Sequence, residues 1–503
     1  MLSVKKRQSL LTGYNKMKKK LVSIIITAHN QEEFLRDCLN SFYNQKTTHP
    51  YELILIDDDS KDNTEKLVKK YYPEVGYFKV YYNNACKTRN YGLTKVNGDY
   101  VGWFDGDDYP ADNYIEELAN ELDKDESISF VHPRIYYPGY NIENNFINTC
   151  DTWEFSPSLH RIRGCFTTHS LLRREVAEKL KWDIKTRKEN MCYDDWDYYL
   201  VAIKKGFKGK TSHKARFFYR QNVKSLWGSI KPETIEKSKE YLFKKHNLRK
   251  DIDKVKYTFV SVISREYCLD KYFECIKELE MPRKRMHWFI YVDNDNEEMI
   301  EKIKKFAEKE SERFYSWRMF VTMRKPIEND IDKRLERIRN NFITILRDLK
   351  DSLIGTPYFF MLEDDTIPKD KKAFYKLDKY LKNDVVIVTG VESTRGDIKV
   401  LGISKLKWEG NRLLERHCLK PKKKGIEEID GTGWYCFIGR TNAFKEEYIL
   451  NTPNVDIVCC WKLRQEGWRI LVNWEVWCGH LNLENRKVKE IMPNDAEERI
   501  FKL

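Results

Sequence analysis

The sequence predicts an α/β protein, built as two tandem blocks of mostly parallel sheet. Three observations lead there. Apolar, β-branched runs alternate with segments of helical periodicity, which is the pattern of parallel strands joined by crossover helices. The runs end in polar or acidic residues, as strands do at the ligand-binding rim of such sheets. Five short segments recur in the same order in the second half of the chain. At 503 residues the chain also exceeds the usual size of one domain.

The first block opens with the buried-strand run LVSIIITAHN. EEFLRDCLNSFYNQ follows with helical spacing, placing Phe34, Leu35, Cys38, Leu39 and Phe42 on one face. YELILIDDDS reads as a strand, NTEKLVKKYY as a helix and YFKVYYN as a strand. TRNYGLTKVN then reads as a helix and DYVGWFD as a strand. The polar rim of this block carries Thr27, Asp57, Asp58 and Asp105. The expected boundaries are a basic arm over 1–20, a first domain over 21–228, a helical, charge-rich linker over 229–256 and a second domain over 257–503.

The recurrences pair Val22 with Val260, Asp57 with Asp293 and Arg89–Asn90 with Arg339–Asn340. They also pair WFDGDDYP with MLEDDTIP, so that Asp105 meets Glu363 and Asp107 meets Asp365. DWDYYLVAIKKGF pairs with DIVCCWKLRQEGW, matching Asp195 to Asp456 and Gly206 to Gly467.

Composition narrows the class. With 41% hydrophobic and 14% aromatic residues the chain can fill sizeable cores and is not a disordered protein. No apolar run is long enough to span a bilayer, and the first twenty residues lack a secretory pattern. Twelve cysteines without a CxxC pair suit free thiols in a reducing, cytoplasmic compartment. The net charge of +13 is uneven: residues 201–260 hold 17 Lys/Arg against 5 Asp/Glu. Such a segment suits a solvated helical face, or contact with nucleic acid, anionic lipid or an anionic polymer.

The acids carry the chemistry. Asp105, Asp107 and Asp108 crowd one turn, where their repulsion needs a counter-charge. Hard carboxylate oxygens suit Mg²⁺ or Mn²⁺, and an ion held by few protein ligands keeps positions open for a diphosphate. An Asp-rich turn capping a helix is the bland alternative. The echo of the turn at Glu363–Asp365 argues for function. Asp194 and Asp195 precede an apolar helix, whose exposed N–H groups favour ionised carboxylates. One can cap the helix while the other serves as a base, and the second block keeps one acid, Asp456.

These segments resemble the large inverting family of nucleotide-sugar glycosyltransferases with the GT-A fold. The resemblance rests on ITAHN, DDDSKD, TRN, FDGDD, the DD at 194–195 and FYR at 218–220, and it covers most of residues 20–225. It implies that Thr27, Ala28, Asn30, Asp58, Arg89 and Asp105 face the nucleotide-sugar, that Asp107 binds the metal and that Asp195 is the base. Asp59 stands where the family has Gly, and Asp194 where it has Glu, which leaves base assignment between the two acids. The second block resembles a more divergent member. There Asp293, Arg339 and Glu363 would face the donor, Asp365 and His480 would bind metal, Asp456 would be the base, and Trp434 and Tyr435 would stack on the acceptor sugar or pack.

The function implied is metal-dependent transfer of a sugar, with inversion, from a nucleotide donor (UDP favoured) to a glycan hydroxyl by a bifunctional enzyme of polysaccharide synthesis. Two alternatives stand beside it. The acceptor is hydroxymethylated DNA bound through the basic segment, or the second block is a non-catalytic acceptor-binding module. Peripheral membrane contact is compatible with the basic arm.

Overall fold

The continuous apolar runs become strands because they are covered on both faces, where alternation of polar residues has no use. The computed structural model describes residues 19–136, 154–162, 164, 166–188, 191–220, 230–248, 254–322, 331–351, 355–393, 400–410, 412–449, 455–484 and 487–502. Most of the basic arm and part of the 229–256 linker lie outside them. The chain divides into two compact units, residues 1–151 with 166–239 and residues 152–165 with 240–503.

The first unit contains β1 (Val22–Ala28), β2 (Tyr51–Asp58), β3 (Gly76–Val80), β4 (Tyr100–Asp105), β5 (Tyr109–Pro110), β6 (Phe130–Tyr136), β7 (Leu171–Arg173) and β8 (Gly209–Phe218). They form one sheet in the order β3-β2-β1-β4-β7-β6-β8-β5. β3, β2, β1 and β4 run parallel. β7 is antiparallel to β4 and β6, β6 and β8 are parallel, and β5 is antiparallel to β8. The helix Glu32–Tyr43 buries Leu35, Cys38, Leu39 and Phe42 on the core of this sheet. Phe34 is only half-buried, and its ring carries the Arg220 guanidinium 5.2 Å from the centroid.

The second unit contains β9 (Tyr257–Ile263), β10 (Met286–Val292), β11 (Ser316–Val321), β12 (Tyr358–Glu363), β13 (Thr366–Pro368) and β14 (Val385–Val391). It continues with β15 (Ile403–Glu409), β16 (Arg412–Cys418), β17 (Ile426–Ile429), β18 (Gly431–Thr432), β19 (Cys436–Arg440), β20 (Arg469–Glu484), β21 (Lys487–Ile491) and β22 (Arg499–Lys502). The main path is β11-β10-β9-β12-β19-β14-β20-β13, with β17 and β21 paired to β20. A separate four-stranded sheet runs β18-β15-β16-β22. The 154–162 stretch belongs to this unit, where the Glu154 N–H donates to the Met319 carbonyl at 3.0 Å.

Strand for strand, the two main paths agree in order and orientation. Their registers give residue equivalences directly. Thr27 pairs with Asp105 and Val262 with Glu363, while the Gly106 and Asp364 N–H groups donate to the Thr27 and Val262 carbonyls, each at 3.0 Å. Asp107 therefore corresponds to Asp365, as the sequence pairing has it. Two sequence pairings shift. Val22 corresponds to Tyr257 and not to Val260, because β-branched runs match themselves equally well when slid. Asp58, not Asp57, corresponds to Asp293, since Thr27 pairs with Ile56 and Val262 with Tyr291. Tyr109 pairs with Phe218 and Ile367 with Gly479, so Tyr219 corresponds to His480. Gly206 and Gly467 follow equivalent helices at φ +79° and +86°, left-handed positions that glycine takes without a Cβ penalty.

Asp59 has φ +62°, also left-handed. Aspartate tolerates that region better than most residues, and the turn keeps the backbone that a glycine would give it. Asp59→Gly is expected to raise stability by about 0.5–1 kcal/mol, and Asp59→Val to lower it by more than about 1 kcal/mol, read as urea midpoints. Equal midpoints for the two variants would refute the backbone argument.

The ten described cysteines are all free and buried. Among the described residues no helix is long and apolar enough to cross a membrane.

Candidate functional site

Each acid of the first turn meets a different environment. Asp105, at the end of β4, accepts hydrogen bonds from Thr27 Oγ1 (3.1 Å), Arg89 Nη2 (2.9 Å) and Thr168 Oγ1 (3.0 Å). Burial alone would raise its pKa, but the Arg89 and His169 charges hold it well below the usual carboxylate range. Asp108 is buried, with His169 Nε2 3.1 Å away and the Arg220 N–H donating at 2.8 Å. Burial pushes its pKa up and the His169 hydrogen bond opposes this. Asp107 lies between them. Burial, then the charges of Asp108 and Asp105, push it up to about 7. Among the described residues no basic side chain pairs with it. The repulsion in FDGDD is thus relieved at two acids and left standing at the third.

Arg89 ties this turn to the helix Asp194–Lys204. Only 4% exposed, it reaches Asp105 with one arm and Asp194 Oδ2 with the other, at 2.6 Å. Arg187 Nη2 meets the second Asp194 oxygen at 2.5 Å. Asp194 is consequently held low against the pull of burial, by Arg187 and then Arg89. Asp195 is different: its Oδ1 accepts the Trp196 N–H at 2.7 Å, and burial followed by the neighbouring Asp194 charge pushes its pKa up. Tyr193, immediately before the helix, sits at φ +68°. A bulky residue in that region is a genuine outlier, of the kind that collects at functional sites.

The structure revises the donor set expected on the rim. Arg89, expected to face the donor, is buried with both arms on carboxylates. Asp58 is saturated: it accepts the N–H groups of Tyr82 (2.7 Å), Asn83 (2.9 Å) and Asn84 (2.9 Å) and the Thr88 hydroxyl (2.8 Å). Two carboxylate oxygens offer about four lone-pair sites, so Asp58 shapes the 82–84 loop and has no position left for a nucleobase. Ala28 is buried in β1, and Asn30 Oδ1 accepts the Lys61 N–H at 2.7 Å.

In the second unit Asp293 is likewise held internally, by Thr322 Oγ1 (2.6 Å), Arg337 Nε (2.6 Å) and Asn341 Nδ2 (2.8 Å). Arg337 makes this pair; Arg339, the sequence candidate, lies elsewhere on the same helix, Ile331–Leu349. Glu363 closes β12, its N–H on the Tyr435 carbonyl at 3.0 Å. Asp365 and His480 do come together, His480 Nε2 lying 3.2 Å from Asp365 Oδ2. Glu392 joins them, and one donor atom from each of Asp365, Glu392 and His480 falls within 4.8 Å of the others. Asp456 Oδ1 accepts the Ile457 N–H at 2.9 Å, repeating the Asp195 arrangement, and burial raises its pKa. Trp434 and Tyr435 are packed: they are 7% and 6% exposed, and the Trp434 ring stacks on Phe342 at 3.7 Å. Of the two readings of this pair, packing describes what their faces touch.

Sequence reasoning missed Thr168, His169, Arg187, Arg265 and Glu392. The polar run TTHS directly before an apolar strand, and VES directly after one, were the available signals.

The carboxyl rim of the first sheet thus gathers an acidic turn and a paired-acid helix around one arginine. Residues 23–181 match the model described as Glycosyl transferase family 2. The first unit thus carries a glycosyltransferase domain of that family, as its motifs imply. The chain is 27% identical over 226 residues to a hyaluronan synthase of Pasteurella multocida, covering 41% of this chain and 23% of that protein. It is 34% identical over 132 residues to a chondroitin synthase of Pasteurella multocida strain Pm70, covering 25% and 14%. The chain therefore spans less than a quarter of the length of either relative. Among solved structures, TarS 1–349 of S. aureus in complex with UDP-GlcNAc aligns at a TM-score of 0.36 and 18% identity, over 44% of this chain and 65% of that one.

Proposed function

We propose that the protein transfers a sugar, with inversion, from a nucleotide-diphosphate donor to a hydroxyl of a growing polysaccharide, and that both units have a transfer site. One observation supports this most: Arg89 joins the acidic turn and the paired-acid helix, so donor and acceptor chemistry meet at one place. The relatives, a hyaluronan and a chondroitin synthase, favour a glycan acceptor.

In this reading Asp195 takes the proton from the acceptor hydroxyl. The oxygen attacks the anomeric carbon from the face opposite the diphosphate, the C–O bond to phosphate breaks, and the nucleoside diphosphate leaves. Asp194 holds Arg89 and Arg187 and does not take the proton. The nucleobase meets the 82–84 loop that Asp58 fixes, and not Asp58 itself. Asp107 would hold Mn²⁺ or Mg²⁺, a fit argued from its hard oxygens and from the lack of a basic partner among the described residues; when bound, the ion supplies charge that stabilises the leaving diphosphate. In the second unit Asp456 is the base and Asp365 the ion ligand, at positions equivalent to Asp195 and Asp107, and His480 joins Asp365 where the first unit has Tyr219.

A panel of nucleotide-sugars, assayed with Mn²⁺ by mass spectrometry of products, tests the proposal. The absence of transfer, of hydrolysis and of binding with every donor would overturn it. Because the Asp195 pKa is raised, the residue is protonated and inactive at low pH. With Asp456→Asn silencing the second unit, kcat/KM should climb with pH through that raised value and level off above it. A profile flat from pH 5 upward would remove Asp195 as base.

A further inference from the structure

The two acidic turns differ in what approaches them from the loop after the first strand of each unit. In the first unit that position is Asn30, engaged with the Lys61 backbone. Counting three residues past Thr27 and past Val262, the equivalent in the second unit is Arg265. Its Nη1 lies 2.5 Å from Asp364 Oδ1 and 3.1 Å from Asp365 Oδ2. Asp364 Oδ2 also accepts the N–H groups of Ser264 (2.7 Å) and Arg265 (2.6 Å), so one carboxylate fixes both the backbone and the side chain of the arginine. The first unit has no counterpart of this anchor, because Gly106 stands at the position of Asp364.

The same Asp365 oxygen lies 3.2 Å from His480 Nε2, and that imidazole is oriented by its far nitrogen. Nδ1 faces the Ser393 carbonyl at 2.9 Å and Glu392 Oε1 at 3.0 Å, and the Thr366 hydroxyl donates to that same Glu392 oxygen at 2.8 Å. Two acceptors at Nδ1 place a hydrogen there and fix the ring so that Nε2 faces Asp365. The donors suit a divalent cation, while the Arg265 guanidinium already lies against one of the oxygens such an ion would take.

We infer that Arg265 is a built-in counter-ion that competes with a divalent cation for Asp365. The first turn then takes up an ion directly, and the second only when something draws Arg265 away. A diphosphate has the chemistry to do so, since guanidinium binds phosphate oxygens in a bidentate fork. Ion and nucleotide therefore enter the second unit together. This rests on the reading of both turns as ion sites given above.

The experiment is a Mn²⁺ titration of the full chain, followed by the paramagnetic resonance of the free ion. Without nucleotide, the wild type should bind one ion, lost in Asp107→Asn. Arg265→Gln should bind a second ion, on the order of tenfold or more tighter than any second ion on the wild type, and Asp365→Asn in that background should remove it. Arg265→Lys, which keeps the charge, should stay at one. Addition of UDP should bring the wild type to two. A wild type that binds two ions without UDP, or an Arg265→Gln that stays at one while wild type with UDP also stays at one, overturns the inference. If Asp107→Asn leaves ion binding unchanged, it is the assignment of the first turn as an ion site that fails, independently of Arg265.

Discussion

Asp195→Asn, in a chain whose second unit is silenced by Asp456→Asn, is expected to lower turnover by about 10²–10⁴-fold, the usual contribution of a positioned general base. UDP binding should stay within about twofold of the parent, because the amide keeps the shape of the side chain and the acidic turn is untouched. Asp194→Asn provides the contrast. It removes the partner of two arginines and should depress stability and turnover together. Initial rates and calorimetric UDP binding on the three proteins separate the roles. Turnover in Asp195→Asn equal to the parent would move the base elsewhere.

The second large effect is expected at Arg89. Asp194 is buried and Asp105 half-buried, and the buried Arg89 is the group they share. Removing one partner of a buried ion pair leaves an uncompensated charge and costs about 3–5 kcal/mol, far more than the pair itself contributes. Arg89→Ala should therefore lose roughly that much stability in urea. Arg89→Lys can neutralise one acid but cannot span both, because a point charge lacks the two arms of the guanidinium. It should recover only part of the loss. A loss below about 1 kcal/mol in Arg89→Ala would mean that water or another cation reaches the acids.

How much of this was legible in the sequence depends on whether the signal was local. The α/β class followed from periodicity, and the rim from where apolar runs stop. The correspondence of Asp107 with Asp365 and of Asp195 with Asp456 was readable because each sits at a fixed offset from a turn or a glycine. Two things were not readable. The alignment of β1 with β9 slipped by three residues, because Val, Ser and Ile repeat within the strand and nothing in the run marks its end. The partners of the carboxylates were also hidden: Arg89 to Asp194 spans 105 positions and Arg220 to Asp108 spans 112. Such pairing is a property of the folded sheet, and no local pattern encodes it. That is why Asp58 and Arg89 read as ligand-binding residues, when the one is saturated by its own loop and the other holds two acids in place.

The exchange of Gly106 for Asp364 has a consequence for engineering. A Cβ at Gly106 would fall 2.4 Å from Gln31 Oε1, which would have to move, and 3.2 Å from the Thr27 carbonyl, so the first turn is tight for a side chain there. The second turn depends on one, since the Asp364 carboxylate fastens the loop that bears Arg265. The two turns are therefore not interchangeable cassettes. Grafting EDD into the first unit would displace the Gln31 amide and crowd the Thr27 carbonyl, and grafting DGD into the second would unfasten its loop. A chimera that exchanges the acidic turns between the units has to carry the turn and the loop after the first strand as a single transplant.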